Sequence, residues 1–138
     1  MPALLIIGAA MTAVYAFLYL CAPPLLQKKF IHDQRTAAGL TVKSLDIPGF
    51  TIVYAEGGTG DAIIMLHGFG GSKNDWLRYA KYFASHYRVI LLDLPGFGES
   101  TKPREDEFSI MFGVEKVHEF AKALHLEKFH LVGHSMGG

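Results

Sequence analysis

Ser135 stands between two glycines at fixed distances, in Gly133-His134-Ser135-Met136-Gly137, directly after the apolar run Phe129–Val132. The pattern G-x-S-x-G puts a serine at a sharp turn from strand into helix. At such a turn the residues two before and two after the serine crowd each other, so both are glycine. The hydroxyl is held clear of the sheet, where a base can reach it. That arrangement suits nucleophilic attack on an acyl carbon. The attack leaves negative charge on the carbonyl oxygen, and two backbone N–H groups should point at it. Met136, next after the serine, is one candidate donor. Phe69, in His67-Gly68-Phe69-Gly70-Gly71, is the other. The glycines around Phe69 let the backbone approach a substrate closely. Taken alone, this pentapeptide could also be no more than a tight turn.

Other reactive side chains give a competing arrangement. His67, Asp93 and Ser135 follow one another in the order of chymotrypsin-like proteases. Those enzymes are all-β, whereas this chain alternates strand and helix. Asp93 opens a Pro-Gly turn, so an Asx-type hydrogen bond is its expected role. His67 is expected to brace the Phe69 loop, and His134 to be structural. His118, His125 and His130 form no ligand spacing, so no metal site is read. Trp76 is expected in the core rather than as a substrate platform. The stretch "GFGGSK" lacks the third glycine of a dinucleotide fingerprint, and Lys73 is not in a Walker arrangement. With 13 basic and 13 acidic residues, no basic stripe suggests nucleic acid. The single cysteine, Cys21, excludes an internal disulfide.

These groups need a scaffold. The chain has 138 residues, enough for one domain. Met1–Gln27 carries no charged side chain, and its stretch Ala3–Ala22 as a helix would reach about 30 Å, a bilayer core. An uncleaved membrane anchor over 1–27 is the reading; a cleaved signal peptide competes, but no Lys or Arg precedes the apolar run. Pro23-Pro24 is expected to end that helix, and Gln27–Gly39 to be a linker or short helix. Val42–Ile47 and Thr51–Ala55 form an antiparallel pair around "PGF". Ala62–Leu66, Arg88–Leu92 and Phe129–Val132 are three apolar runs of the kind buried on both faces. Between them, Ser72–Tyr87 is expected to be helical, with Ser72 as N-cap and Trp76, Tyr79, Ala80 and Phe83 on one face. Ser109–Leu126 is a second helix, with Val114, Val117, Phe120, Ala121 and Leu124 at helical spacing. This alternation gives an α/β class with a mostly parallel sheet and crossover helices. All three apolar runs end in glycine-containing loops, where open α/β sheets carry their functional residues.

Together "LHGFGGSKNDW", "LLDLPGFGES" and "LVGHSMGG" resemble the front half of an α/β-hydrolase. With the apolar N-terminus they are similar to membrane-anchored monoacylglycerol lipases and bacterial lipase 1-type esterases. The resemblance implies Ser135 as nucleophile, Phe69 and Met136 as oxyanion donors, and no cofactor. It implies a small-molecule ester or acylglycerol substrate beside membrane lipid, with no obligate protein partner and no nucleic acid. Carbon–carbon bond hydrolases and perhydrolases share the elbow, while epoxide hydrolases carry Asp there. In the family the triad acid and histidine follow the nucleophile, so the expectation is an incomplete hydrolase domain over 28–138. On that reading the chain alone is inactive and prone to aggregate, and a non-catalytic fragment is the remaining alternative.

Overall fold

In the computed structural model, which describes residues 11, 14–18, 20, 22–104 and 109–138, the chain divides into two compact units, 1–33 and 34–138. In the first, residues 14–18 and 20 are helical, and Val14, Phe17, Leu18 and Leu20 are exposed. Among the described residues no helix is long and apolar enough to cross a membrane. The anchor expected over 1–27 lies largely outside the described residues. Helix α1 (Ala22–Ala37) carries Pro23 and Pro24 near its start, and the junction with the preceding helical residues, at residue 21, lies outside the described residues. The two prolines occupy the first turn of α1, where a missing N–H costs no intrahelical bond. Its C-terminus closes with Gly39 at φ 64° and bonds from Gly39 N–H to Thr36 O and Leu40 N–H to Arg35 O. Two carbonyls that the helix leaves open are thereby satisfied.

Strands β1 (Thr41–Ile47) and β2 (Phe50–Gly57) pair antiparallel, as the two short runs around "PGF" predict. They are followed by β3 (Ala62–Leu66), β4 (Arg88–Leu92) and β5 (His130–Gly133). The sheet order is β1-β2-β4-β3-β5. β3 is parallel to β4 and to β5, whereas β2 is antiparallel to β4. The sheet is thus mixed rather than mostly parallel, because the hairpin adds through β2 to the free side of β4. All of β3 and Val89–Leu92 of β4 are buried. β5 occupies the run expected as a strand over Phe129–Val132, paired with Ala62–Leu66 on one side and, among the described residues, bare on the other. It begins at His130, pairs with β3 at the sheet edge, and leaves Leu131 55% exposed.

The first crossover opens with a 3-10 turn, Lys73–Trp76, and continues as α2 (Leu77–Phe83). Ser72 caps it as expected: its side chain accepts from the Asn74 N–H, and Asp75 returns a bond to the Ser72 N–H. The buried face is Leu77 and Ala80, not the expected Trp76–Tyr79–Ala80–Phe83 stripe, and Tyr79 is exposed. A 3-10 turn advances faster per residue than an α-helix, so the start at Lys73 rotates the following face. The second crossover, α3 (Ile110–Ala123), is capped by the Ser109 hydroxyl on Phe112 N–H. It buries Val117, Phe120 and Ala121 against Ile52, Tyr54, Ile64 and Leu92 of the sheet. The Phe120 and Tyr54 rings meet edge to face at 5.0 Å. Val114, expected to face inward, is exposed beside an apolar cleft of about 200 Å³.

On β2, the largely buried Glu56 accepts bonds from Lys43 at 2.7 Å and from Arg88. Burial alone would raise its carboxyl, but the two cations and their hydrogen bonds outweigh that and hold it below the ordinary carboxylate range. Its stabilisation is therefore full above the unfolded-state value, about pH 4, and is lost as pH falls through the lower folded value. Glu56→Gln should lower the thermal midpoint by a constant amount from pH 7 to 5. The difference from the wild type should shrink at pH 3, and melts that stay equally far apart at pH 3 would contradict the pairing.

Candidate active site

The three parallel strands end side by side, and the residues that follow them converge. Leu66 pairs with Leu92 in β4 and with Gly133 in β5. His134 N–H continues the ladder by one more bond, to Leu66 O at 3.2 Å. At Ser135 the chain turns, with φ at 55°, into a short 3-10 turn over Ser135–Gly137. Such a conformation costs a non-glycine residue roughly 1–2 kcal/mol. The turn is closed by Gly137 N–H to His134 O and Gly138 N–H to Ser135 O, both 3.0 Å. A Cβ on Gly133 would collide with Gly137 O, and one on Gly137 would lie 2.6 Å from His67 O. Both glycines of the motif are thus dictated by close approach of backbone to backbone. The Ser135 side of the turn is exposed.

The loop after β3 lies against this turn. A Cβ on Gly68 would sit 3.2 Å from Ser135 Cβ and 3.1 Å from His134 Nδ1. His67 is 1% exposed, and both its ring nitrogens are occupied. Leu94 N–H donates to Nε2 at 3.0 Å, which leaves the proton on Nδ1 to donate to Gly68 O at 2.7 Å. Gly68 O also accepts from Gly71 N–H at 3.1 Å. In a planar trans peptide the carbonyl and the next N–H point in opposite directions. Fixing Gly68 O therefore fixes the direction of the Phe69 N–H. Among the described residues, no turn or loop backbone bond uses the N–H of Phe69 or of Met136. Phe69 itself is 78% exposed, with its ring edge-on to Phe97 at 5.7 Å. Met136 packs against the core cluster.

The loop after β4 completes the group, and here the expected Asx-type turn at Asp93 is corrected. Asp93 is fully buried and binds Lys73 twice, through the backbone N–H on Oδ1 and through Nζ on Oδ2, each at 2.6 Å. Oδ2 also accepts from Glu99 N–H at 2.9 Å, six residues on rather than two. Asp93 makes no bond to His67, so His67, Asp93 and Ser135 do not form a relay. Lys73, Glu99 and Ser100 have no assigned role in the sequence reading. No spacing rule pairs a lysine after one strand with a carboxylate after another. Trp76 is half-buried and edge-on to Tyr79 at 5.9 Å.

A mixed sheet with parallel central strands, a strained serine at the end of one of them and a glycine loop facing it define a hydrolase scaffold. The chain belongs to the alpha/beta hydrolase fold family, whose profile matches residues 61–138. It is 32% identical to monoacylglycerol lipase abhd6-A of Xenopus laevis over 138 residues, 95% of this chain and 41% of that protein. To Lipase 1 of Psychrobacter immobilis it is 37% identical over 115 residues, 80% of this chain and 36% of the relative. The crystal structure of a membrane phospholipase A, described as a bacterial virulence factor, superposes with a TM-score of 0.79 and 35% identity. That likeness covers 99% of this chain and 45% of the other. The chain thus spans about two fifths of the length of these relatives.

The strain at Ser135 has a measurable consequence. Ser135→Ala keeps the unfavourable φ, while Ser135→Gly releases it. The glycine variant should be the more stable of the two by about 1 kcal/mol, a few degrees in thermal midpoint. An alanine variant that melts at or above the glycine variant would contradict a left-handed serine.

Proposed function

We propose that this chain carries the nucleophile of a serine hydrolase that cleaves carboxylic esters, acylglycerols or related lipid esters, through an acyl-enzyme. The observation that carries the reading is the exposed Ser135, at φ 55°, facing the Gly68–Phe69 peptide. In this mechanism Ser135 Oγ bonds to the acyl carbon as a histidine base removes its proton. His67 is not that base, since both its nitrogens are engaged. The carbonyl π bond opens, and its electron pair becomes an oxyanion that the N–H groups of Phe69 and Met136 receive. Collapse expels the alcohol, which takes the proton from the base. Water then attacks the acyl-serine by the same route and releases the acid. Substrate and transition state differ most at that oxygen, so donors held rigid before the reaction favour the transition state.

A lipid substrate is favoured by the kinship with lipases and by the uncharged segment Met1–Gln27. Val14, Phe17, Leu18 and Leu20, apolar and exposed within that segment, suit contact with a lipid surface. A membrane-associated enzyme is the corresponding proposal for location.

Monoacylglycerol and p-nitrophenyl ester hydrolysis by the full-length protein, with Ser135→Ala beside the wild type, tests the chemistry. The variant should lose activity by about four orders of magnitude or more while retaining its fold. Ester hydrolysis at the wild-type rate in Ser135→Ala would remove Ser135 from the reaction.

A further inference from the structure

We infer that Lys73 is a positioning residue for the Phe69 oxyanion donor, acting through its buried ion pair with Asp93; the inference rests on the ester-hydrolase reading.

The loop His67–Lys73 carries Phe69 at its exposed middle. Its two ends are fastened to consecutive residues of the next strand end. At one end Leu94 N–H holds the His67 ring. At the other, Asp93 holds both the Lys73 backbone N–H and the Lys73 ammonium. The ion pair is closed to water, with 2% of the Lys73 side chain exposed and none of Asp93. Glu99, itself 68% exposed, gives the ammonium a further carboxylate at 3.3 Å. Between the two fasteners the loop folds on itself through Gly71 N–H and Gly68 O, the same carbonyl that fixes the Phe69 N–H.

Displacing Lys73 would move Gly71, and Gly71 is one of the two donors on Gly68 O. The neighbouring space leaves no slack, since a Cβ on Gly71 would collide with the Asp75 carboxylate and lie 3.2 Å from Gly68 O. A structural salt bridge elsewhere in the fold would contribute stability alone. This one ends on the peptide that aims the donor, so its loss should act on the transition state.

Stability and positioning separate in a double replacement. Lys73→Met alone strands the Asp93 carboxylate in the interior, which is strongly destabilising. Lys73→Met with Asp93→Asn removes both charges, and such exchanges are often close to neutral for folding. Lys73→Gln, a milder change that keeps a donor on a shorter, uncharged stem, serves as a second variant. For each, kcat is measured per active serine, counted by titration with a fluorophosphonate, so that unfolded protein does not enter the rate. The expected result is a fall in kcat of about tenfold or more with KM within about twofold of the wild type, because the donor acts on the transition state. Folded variants that turn over at the wild-type rate per titrated serine, or that change KM alone, would overturn the inference. Ser135→Ala is run alongside. If it is inactive while the Lys73 variants turn over normally, the positioning role fails and the hydrolase reading stands. If it is active, the hydrolase reading itself has failed.

Discussion

A carboxylate with no access to water has to be met by donors, and the ends of the central strands are arranged around that need at Asp93. Its side chain takes two bonds from Lys73 and one from Glu99 N–H. Its own N–H reaches Val53 O, and its carbonyl accepts from the Ser100 hydroxyl, which in turn accepts from Val53 N–H. One residue thereby joins β2, the loop after β3 and the loop after β4. Removing a single partner of a buried pair typically costs about 3–5 kcal/mol, a large part of the stability of a small domain. The geometry of the glycine loop is thus tied to the stability of the whole sheet. On the proposed ester-hydrolase reading, such an attachment would hold the Phe69 N–H in place before substrate arrives.

Strain is placed where that rigidity can sustain it. Two described non-glycine residues have positive φ, His125 and Ser135, and their contexts differ. His125 follows α3 and completes a helix C-terminus, with His125 N–H on Lys122 O and Leu126 N–H on Ala121 O. That is the position glycine fills after α1, and the histidine there closes carbonyls that would otherwise stay open. Ser135 closes no helix behind it. It is bent by the ladder bond His134 N–H to Leu66 O on one side and by Gly137 packed on the His67 carbonyl on the other. What the strain achieves is an exposed hydroxyl at a fixed point beside Gly68.

The sequence reveals contacts that leave a mark on residue type. Gly133 and Gly137 are legible because backbone meets backbone there and no side chain fits. The apolar runs of β3 and β4 are legible because both faces of those strands are covered. Ser72 and Asp75 show the helix start because capping is local. Features that depend on remote neighbours leave no such mark. β2 meets β4 antiparallel, which no alternation of strand and helix encodes. The 3-10 turn at Lys73 shifts the inward face to Leu77 by a small change of pitch. The Lys73–Asp93 pair joins residues 20 apart through the third dimension, and neither neighbourhood names its partner.

The central claim is that the fold holds Ser135 ready to react. Incubating the full-length protein with an alkyl fluorophosphonate, then mapping its peptides by mass spectrometry, measures this most directly. One phosphonyl group per chain is predicted, on Ser135, and none after heat denaturation, because the proposed reactivity requires the fold to hold serine, histidine base and oxyanion donors together. A native protein left unmodified at Ser135, or labelled at another residue instead, would contradict the account.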